Sequence, residues 1–333
     1  MIAASVILAA HDAAGTIGSA VASALAQSLR EIEVVVVDDA SRDATAEAAR
    51  AAAGGDPRLR LVTMGENSGP AGARNAGIAA ARGRYVAILD ADDAFAPTRL
   101  EALVGLAEHD GAEMACDDLL LVDGDSGASL GPMFGPSGLP PVLDAAAFAL
   151  ADLPDPRAPR RGSGFLKPLV RRDFLRRHGL VYPERMRFAE DYAFALACLL
   201  AGARWRTLGR PLYRYAVHGR SLTARHRAAD LEALRDADTA ALAGLPADAD
   251  AGTRRALALH LASVRRRAAW ARFVEDYKAG AIGAALRAAA ADPDTLRHVA
   301  GRCLAHLRER GLPGRPGRDQ GRDLPRDLPG DLP

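Results

Sequence analysis

Three aspartates, Asp90, Asp92 and Asp93, follow directly on the apolar run Tyr85-Val86-Ala87-Ile88-Leu89. Carboxylates this close repel one another unless water, a cation or Arg/Lys partners offset the charge, and hard divalent cations prefer such oxygen ligands. The spacing points to a metal-diphosphate site. An acidic turn capping a helix that starts near Pro97 accounts for it equally well, since Asp is a good N-cap and Pro suits the first helical turn. A second pair, Glu190 and Asp191, precedes an apolar helical stretch. The helix dipole stabilises carboxylates there, so capping is the easy explanation. The sharper one is a general base, which needs an ionised carboxylate held on a rigid element within hydrogen-bond reach of a hydroxyl.

Arg74 lies in Asn67-Ser68-Gly69-Pro70-Ala71-Gly72-Ala73-Arg74-Asn75-Ala76-Gly77, a small-residue turn feeding a helix. A helix N-terminus with a nearby guanidinium suits phosphate charge; a Gly/Pro turn with a solvated Arg74 is the bland reading. No Gly-Lys-Ser/Thr follows, so this is not a Walker loop, and Gly15-Thr16-Ile17-Gly18 lacks the spacing of a dinucleotide fingerprint.

These residues need a scaffold, and the apolar pattern supplies one. Residues 4–10 and 32–38 are strand-like, with Ile17, Val21, Leu25 and Leu29 at helical spacing between them. Helix is expected at 43–53, loop and helix at 69–81, strand at 59–62 and 85–89. The alternation predicts an α/β fold, a Rossmann-like, mostly parallel sheet flanked by helices. Parallel strands share a direction, so His11-Asp12 after the first strand and Asp38-Asp39 after the second open on the edge that carries Asp90 and Asp92. Asp39 can accept hydrogen bonds from a ribose or a base, while Ser41 and Asp43 suit capping of the next helix.

The 333 residues, 49% hydrophobic and 26% charged, suit a globular protein with an ample core. A net charge of +1 gives no global attraction to nucleic acid, and Cys116, Cys198 and Cys303 show no metal or disulfide spacing. The N-terminus has no basic leader and runs into His11-Asp12 as a strand, and Arg and Asp interrupt every Ala/Leu-rich run. The expectation is a cytoplasmic protein able to rest on a membrane. From 116 to 161 Gly and Pro loosen the pattern into what reads as a lid or acceptor-facing loop. Helical periodicity returns at 172–177 and 191–200, a strand is expected at about 204–208, and Ala/Leu/Arg-rich helices fill 228–310. The expected division is an α/β unit at 1–225, helices at 226–310 and a disordered Arg/Asp/Pro/Gly tail at 311–333.

Taken in order, Ala4-Ser5-Val6-Ile7-Leu8, Val34 to Thr45, Asn67 to Gly77, Asp90-Ala91-Asp92-Asp93 and Glu190-Asp191 resemble the family 2 glycosyltransferases with the GT-A fold. The resemblance spans about the first 220 residues. It implies that Asp39 contacts the base or ribose and that Asp12 lies where the first loop approaches the nucleoside. It implies that Asp92 coordinates Mn²⁺ or Mg²⁺ while Asp90 supports the ribose and the metal's waters. Asp191 matches the base of inverting members, with Glu190 as an acceptor or orienting contact. The block Arg210 to Thr223 resembles the segment that closes over the diphosphate, where a His, here His218, sometimes joins the metal shell.

The implied reaction moves a sugar from a nucleotide donor, UDP-linked, to a hydroxyl of a glycan or lipid-linked oligosaccharide. The overall similarity leans toward bacterial exopolysaccharide glucosyltransferases of the succinoglycan type. Relatives often carry Tyr-Asn or His-Asn where this chain has His11-Asp12. The cluster Arg254, Arg255, Arg265, Arg266, Arg267 and Arg272, interleaved with Leu257, Leu261 and Trp270, suits either an anionic membrane or a solvated helix face. Two other classes stay open: a sugar-nucleotide pyrophosphorylase, which would need a Gly-rich basic loop after the first strand, and a non-catalytic binding protein that kept the fold.

Overall fold

β1 (Ala4–Ala10) and β2 (Ile32–Asp38) run parallel, Ala4 opposite Ile32 and Ala10 opposite Asp38. Val34, Val35, Val36 and Val37 are fully buried, as befits a strand covered by helices on both faces. In this computed structural model, residues 1–135, 138–155, 162–217, 227–281, 283, 285–287 and 293–309 are described. Helix α1 (Ile17–Leu25) joins β1 to β2, α2 (Thr45–Ala53) leads to β3 (Leu59–Thr63), and α3 (Gly69–Ala80) leads to β4 (Tyr85–Ile88). The strands line up as β3-β2-β1-β4, every pair parallel. These elements end within two residues of their expected bounds except α1, which stops at Leu25, four residues short of Leu29. α3 sits hard on the sheet because Gly77 has no side chain: a Cβ there would lie 2.3 Å from Ile7 Cγ2.

Beyond β4 the sheet is mixed. β8 (Leu169–Arg171) pairs antiparallel with β4 and with β6 (Met114–Asp123); β6 runs parallel to the long β9 (Trp205–Val217), and β9 pairs antiparallel with β5 (Ala94–Phe95). β7 (Ser129–Pro132) folds back on β6. The loose loop expected over 116–161 therefore needs correction, since it holds most of β6, then β7 and helix α5 (Ala145–Ala151). Asp117 and Asp118 interrupt the apolar run of β6 and hide its strand character. Both are buried, Asp117 against Arg99 and Asp118 accepting from the Phe134 amide.

The two edges of the sheet differ. At the start of the parallel strands, Glu33 accepts from Ser5 Oγ (2.6 Å), the Arg82 amide (2.5 Å) and Arg60 Nη1 (2.8 Å), which closes that edge. At the opposite edge the backbone is strained. Among the described residues the non-glycine positions with positive φ are Asp12 (49°), Ala40 (54°) and Ala189 (58°), following β1, following β2, and preceding α7 (Glu190–Leu200). Such conformations persist only where surrounding contacts enforce them, and they gather at functional sites.

Helices α4 (Arg99–His109) and α6 (Arg172–His178) cover the sheet, and α8 (Ala228–Ala243), α9 (Ala251–Lys278) and α10 (Pro293–Glu309) complete the described chain. α9 packs on α5 and α8, α8 reaches α7, and α10 lies on α9. Leu257, Leu261, Val264 and Ala268 form the buried stripe of α9. Leu257 and Leu261 of the basic cluster thus face inward and Trp270 is half-buried, while Arg254, Arg255, Arg265 and Arg266 stay exposed and Arg272 pairs with Glu232. Among the described residues no helix is long and apolar enough to cross a membrane. The expected disordered tail, 311–333, and His218 lie outside the described residues.

Candidate active site

Arg74, on α3, is buried at the carboxyl edge of the sheet. Its Nη2 lies 2.9 Å from Asp90 Oδ1, and its Nη1 lies 2.7 Å from Glu190 Oε1 and 3.1 Å from Asp191 Oδ1. Lys167 closes the ring: its Nζ lies 2.8 Å from Asp90 Oδ2 and 2.6 Å from Asp191 Oδ2. Three carboxylates and two cations from distant parts of the chain thus share one site. Burial alone would raise the Asp90 pKa, but the charges of Lys167 and Arg74 hold it well below the usual carboxylate range. Burial works against the Lys167 ammonium as well, yet Asp191 and Asp90 push its pKa upward. Arg74 follows the same pattern, and its guanidinium also stands over the Tyr182 ring at 5.4 Å.

Lys167 is a functional candidate that no sequence pattern flagged. It precedes Pro168 and β8, and the antiparallel register of β8 on β4, Leu169 opposite Ala87, carries it to the level of Leu89 and Asp90. Glu190 and Asp191 open α7, yet neither caps it: Ala189 is the N-cap residue and no side-chain capping bond is made there. Their carboxylates turn to Arg74 and Lys167 instead. The helix near Pro97 starts at Arg99 with Thr98 as N-cap, so Asp90, Asp92 and Asp93 do not cap it either.

Asp93 has a supporting task. Its Oδ2 accepts from the Tyr213 hydroxyl (2.7 Å) and its Oδ1 from the Ala216 amide (2.7 Å), while the same hydroxyl accepts from the Asp90 amide (3.2 Å). Burial, then the charges of Asp90 and Asp92, drive the Asp93 pKa well upward. β9 is thereby fastened beneath the acidic loop. Arg99, fully buried, stacks on Phe95 and Tyr213, pairs with Asp117 and donates to the Lys167 carbonyl at 2.6 Å.

The side expected to face a nucleoside is built by the loops after β1 and β2. Asp39 is buried, and its two oxygens accept from the Ser68 and Gly69 amides, both at 2.8 Å. It therefore fastens the start of α3, and any ligand contact it makes uses its remaining lone pairs. Asp12 accepts from the Arg42 amide (2.7 Å), and its own amide donates to Ser41 Oγ (3.1 Å). Ser41 thus ties two loops together rather than capping α2. Asp43 does hold the start of α2, accepting from the Thr45 amide at 3.0 Å.

Asp92 is exposed at the rim, two residues past Asp90. Both Asp90 oxygens face cations and both Asp93 oxygens are engaged, and among the described residues no three His, Cys, Asp or Glu side chains form a metal cage. An exposed carboxylate such as that of Asp92 is an oxygen donor of the kind a hard cation takes beside ligand phosphates and water.

The fold and the carboxylates gathered beyond the parallel strands match what was expected of a GT-A glycosyltransferase, and the comparisons show the family. The Glycosyl transferase family 2 profile matches residues 5–133. The chain is 40% identical over 314 residues to the succinoglycan biosynthesis protein ExoU of Rhizobium meliloti (strain 1021), covering 92% of this chain and 89% of that one. It is 37% identical over 304 residues to ExoO, a succinoglycan biosynthesis protein of the same strain, covering 91% and 85%. Among solved structures, S. aureus TarS in complex with UDP-GlcNAc superposes with a TM-score of 0.60 at 20% identity, over 80% of this chain and 72% of that one. The mannosyltransferase PcManGT from Pyrobaculum calidifontis, in complex with GDP-Man and Mn²⁺, gives 0.58 at 23% identity, over 91% and 80%. At those identities the structures attest the fold alone. The chain belongs to glycosyl transferase family 2 and is a glycosyltransferase.

Proposed function

We propose that the enzyme transfers a sugar with inversion, from a UDP-linked donor, to a hydroxyl of a glycan or lipid-linked oligosaccharide in exopolysaccharide assembly on the cytoplasmic side. The observation that carries this is the convergence of Asp90, Glu190 and Asp191 around Arg74, which sets a candidate base beside the nucleotide edge of the sheet. The acceptor oxygen attacks the anomeric carbon from the face opposite the nucleotide, and its proton passes to Asp191. The new carbon–oxygen bond forms as the bond to the diphosphate breaks, and UDP leaves with the electron pair. One displacement inverts the anomeric centre.

Glu190 orients the acceptor, Asp12 and Asp39 frame the nucleoside, and Asp90 supports the ribose. Asp92 is the residue that would hold Mn²⁺ or Mg²⁺, whose chemistry is to offset charge on the departing diphosphate. The succinoglycan relatives support an exopolysaccharide role, with UDP-glucose the first donor to try. Exposed Arg254, Arg255, Arg265 and Arg266 support a peripheral contact with anionic headgroups.

The test is binding and hydrolysis of UDP-, GDP- and dTDP-sugars with and without Mn²⁺, for the wild type and Asp92→Ala. Metal-dependent turnover of one UDP-sugar, lost in the variant, is expected, with NMR of the first-formed product showing inverted anomeric configuration. Turnover unchanged by chelation and by the substitution would remove the metal from the scheme, and binding of no nucleotide sugar would sink it.

A further inference from the structure

We propose that Lys167 is a positioning residue of the transfer reaction, its ammonium holding the Asp191 carboxylate in the orientation from which it receives the acceptor proton. The inference rests on the reading of Asp191 as the base. Each Asp191 oxygen faces one cation, Oδ1 facing Arg74 at 3.1 Å and Oδ2 facing Lys167 at 2.6 Å. A carboxylate has about four lone-pair sites, so two cations fix its plane and still leave room for an incoming hydroxyl. The same ammonium reaches Asp90 at 2.8 Å, so it fixes the distance between the nucleotide edge of the sheet and the start of α7.

A lysine is normally a poor positioning group, because its four-carbon stem is flexible. Here both ends are held. Pro168 restricts the Lys167 backbone to extended conformations. The Lys167 carbonyl accepts from Arg99, which is locked between Asp117 and the rings of Phe95 and Tyr213. The stem is almost wholly buried, so the ammonium has its partners inside the site rather than in solvent. Arg74 alone could serve as a countercharge to the carboxylates, but it divides its Nη1 between Glu190 and Asp191. Lys167 supplies the shorter contact to Asp191.

The experiment compares the wild type with Lys167→Met, Lys167→Arg, Lys167→Ala and Asp191→Asn, using the nucleotide sugar that the wild type turns over and UDP as the binding probe. Lys167→Met is expected to bind UDP within about threefold of wild type and to keep its KM for the donor, while kcat falls about 100-fold, the scale of a misplaced catalytic group. Lys167→Arg should recover part of that loss by keeping the charge, and methylammonium should restore part of it in Lys167→Ala. A Lys167→Met enzyme with wild-type kcat would overturn the inference. So would parallel loss of UDP affinity and kcat, which would place the role of Lys167 on the nucleotide side, directly or through Asp90, or Lys167→Arg no faster than Lys167→Met. If Lys167→Met fails to fold, the comparison of Lys167→Arg with methylammonium rescue of Lys167→Ala decides, and absence of any recovery counts against the proposal. Asp191→Asn separates the two levels: its retained turnover would remove the base itself, whereas an inactive Asp191→Asn beside an unaffected Lys167→Met would remove the role of Lys167 alone.

Discussion

Raising the pH from 6 to 8 should cost the folded protein about 2 kcal/mol through one side chain, His260. This histidine of α9 is buried, with Nδ1 2.7 Å from Asp238 Oδ2 on α8 and Nε2 3.3 Å from Asp152 Oδ2 at the end of α5. Its ring stacks on Tyr192 of α7 at 4.5 Å, and the Tyr192 hydroxyl lies 3.1 Å from Nδ1. Burial opposes the imidazolium, but the hydrogen bonds and charges of Asp152 and Asp238 win and raise its pKa from 6.5 to about 9. A pKa raised on folding stabilises fully below the unfolded value and loses that stabilisation as pH climbs through the folded one. Two-state linkage gives about 3 kcal/mol at pH 6 and about 1 kcal/mol at pH 8.

The assay is urea unfolding at fixed salt in half-unit steps of pH, followed by tryptophan fluorescence. Trp205, in the same aromatic cluster through Phe148, is a local reporter. The series stops at pH 8 because burial pushes the Cys198 thiol up to about 12, so ionisation of that thiol in the unfolded chain would add a slope of the same sign above about 8.5. His260→Gln should be less stable at pH 6 and much flatter across the range. A wild-type stability constant to within about 0.5 kcal/mol between pH 6 and 8, or the same slope in the variant, would refute the assignment.

Arg74→Met should abolish turnover and destabilise the fold by about 3–5 kcal/mol, because Glu190 loses its guanidinium partner and Asp90 and Asp191 keep only Lys167; denaturant unfolding and a UDP-sugar assay read the two effects. Tyr213→Phe removes the hydroxyl that donates to buried Asp93 and accepts from the Asp90 amide. A loss of about 1–3 kcal/mol is expected, with UDP binding weakened as the acidic loop loosens, and calorimetry on the folded variant reads the latter.

The first half of the sheet was legible because its signals are local. An apolar run four to seven residues long, then a helical period, then another run reads as β-α-β, and strand direction places Asp12, Asp39 and Asp90 on one edge before any contact is known. β6 was not legible. Its pattern contains Asp117 and Asp118, which are buried because Arg99 and the Leu212 amide meet the first and the Phe134 amide the second, all from outside the strand. In this region the tertiary partners, and not the strand's own residues, make the strand possible.

The same division runs through the site. The carboxylates announced themselves by their spacing at strand and helix ends, and Arg74 by the small-residue turn that carries it. Local sequence still offered capping as a sufficient account of Asp90 and Asp191, and only packing removes it: α4 and α7 take other N-cap residues, while the carboxylates meet across the sheet through Arg74 and Lys167. Lys167 itself sits in Gly164-Phe165-Leu166-Lys167-Pro168, where nothing marks a charge of consequence. Its place is set by the antiparallel register of β8 on β4, and a slip of one residue would turn its side chain to the other face of the sheet. Register depends on turns and side-chain packing across several strands, so a residue whose function comes from register stays silent in sequence, however decisive its contacts are in the fold.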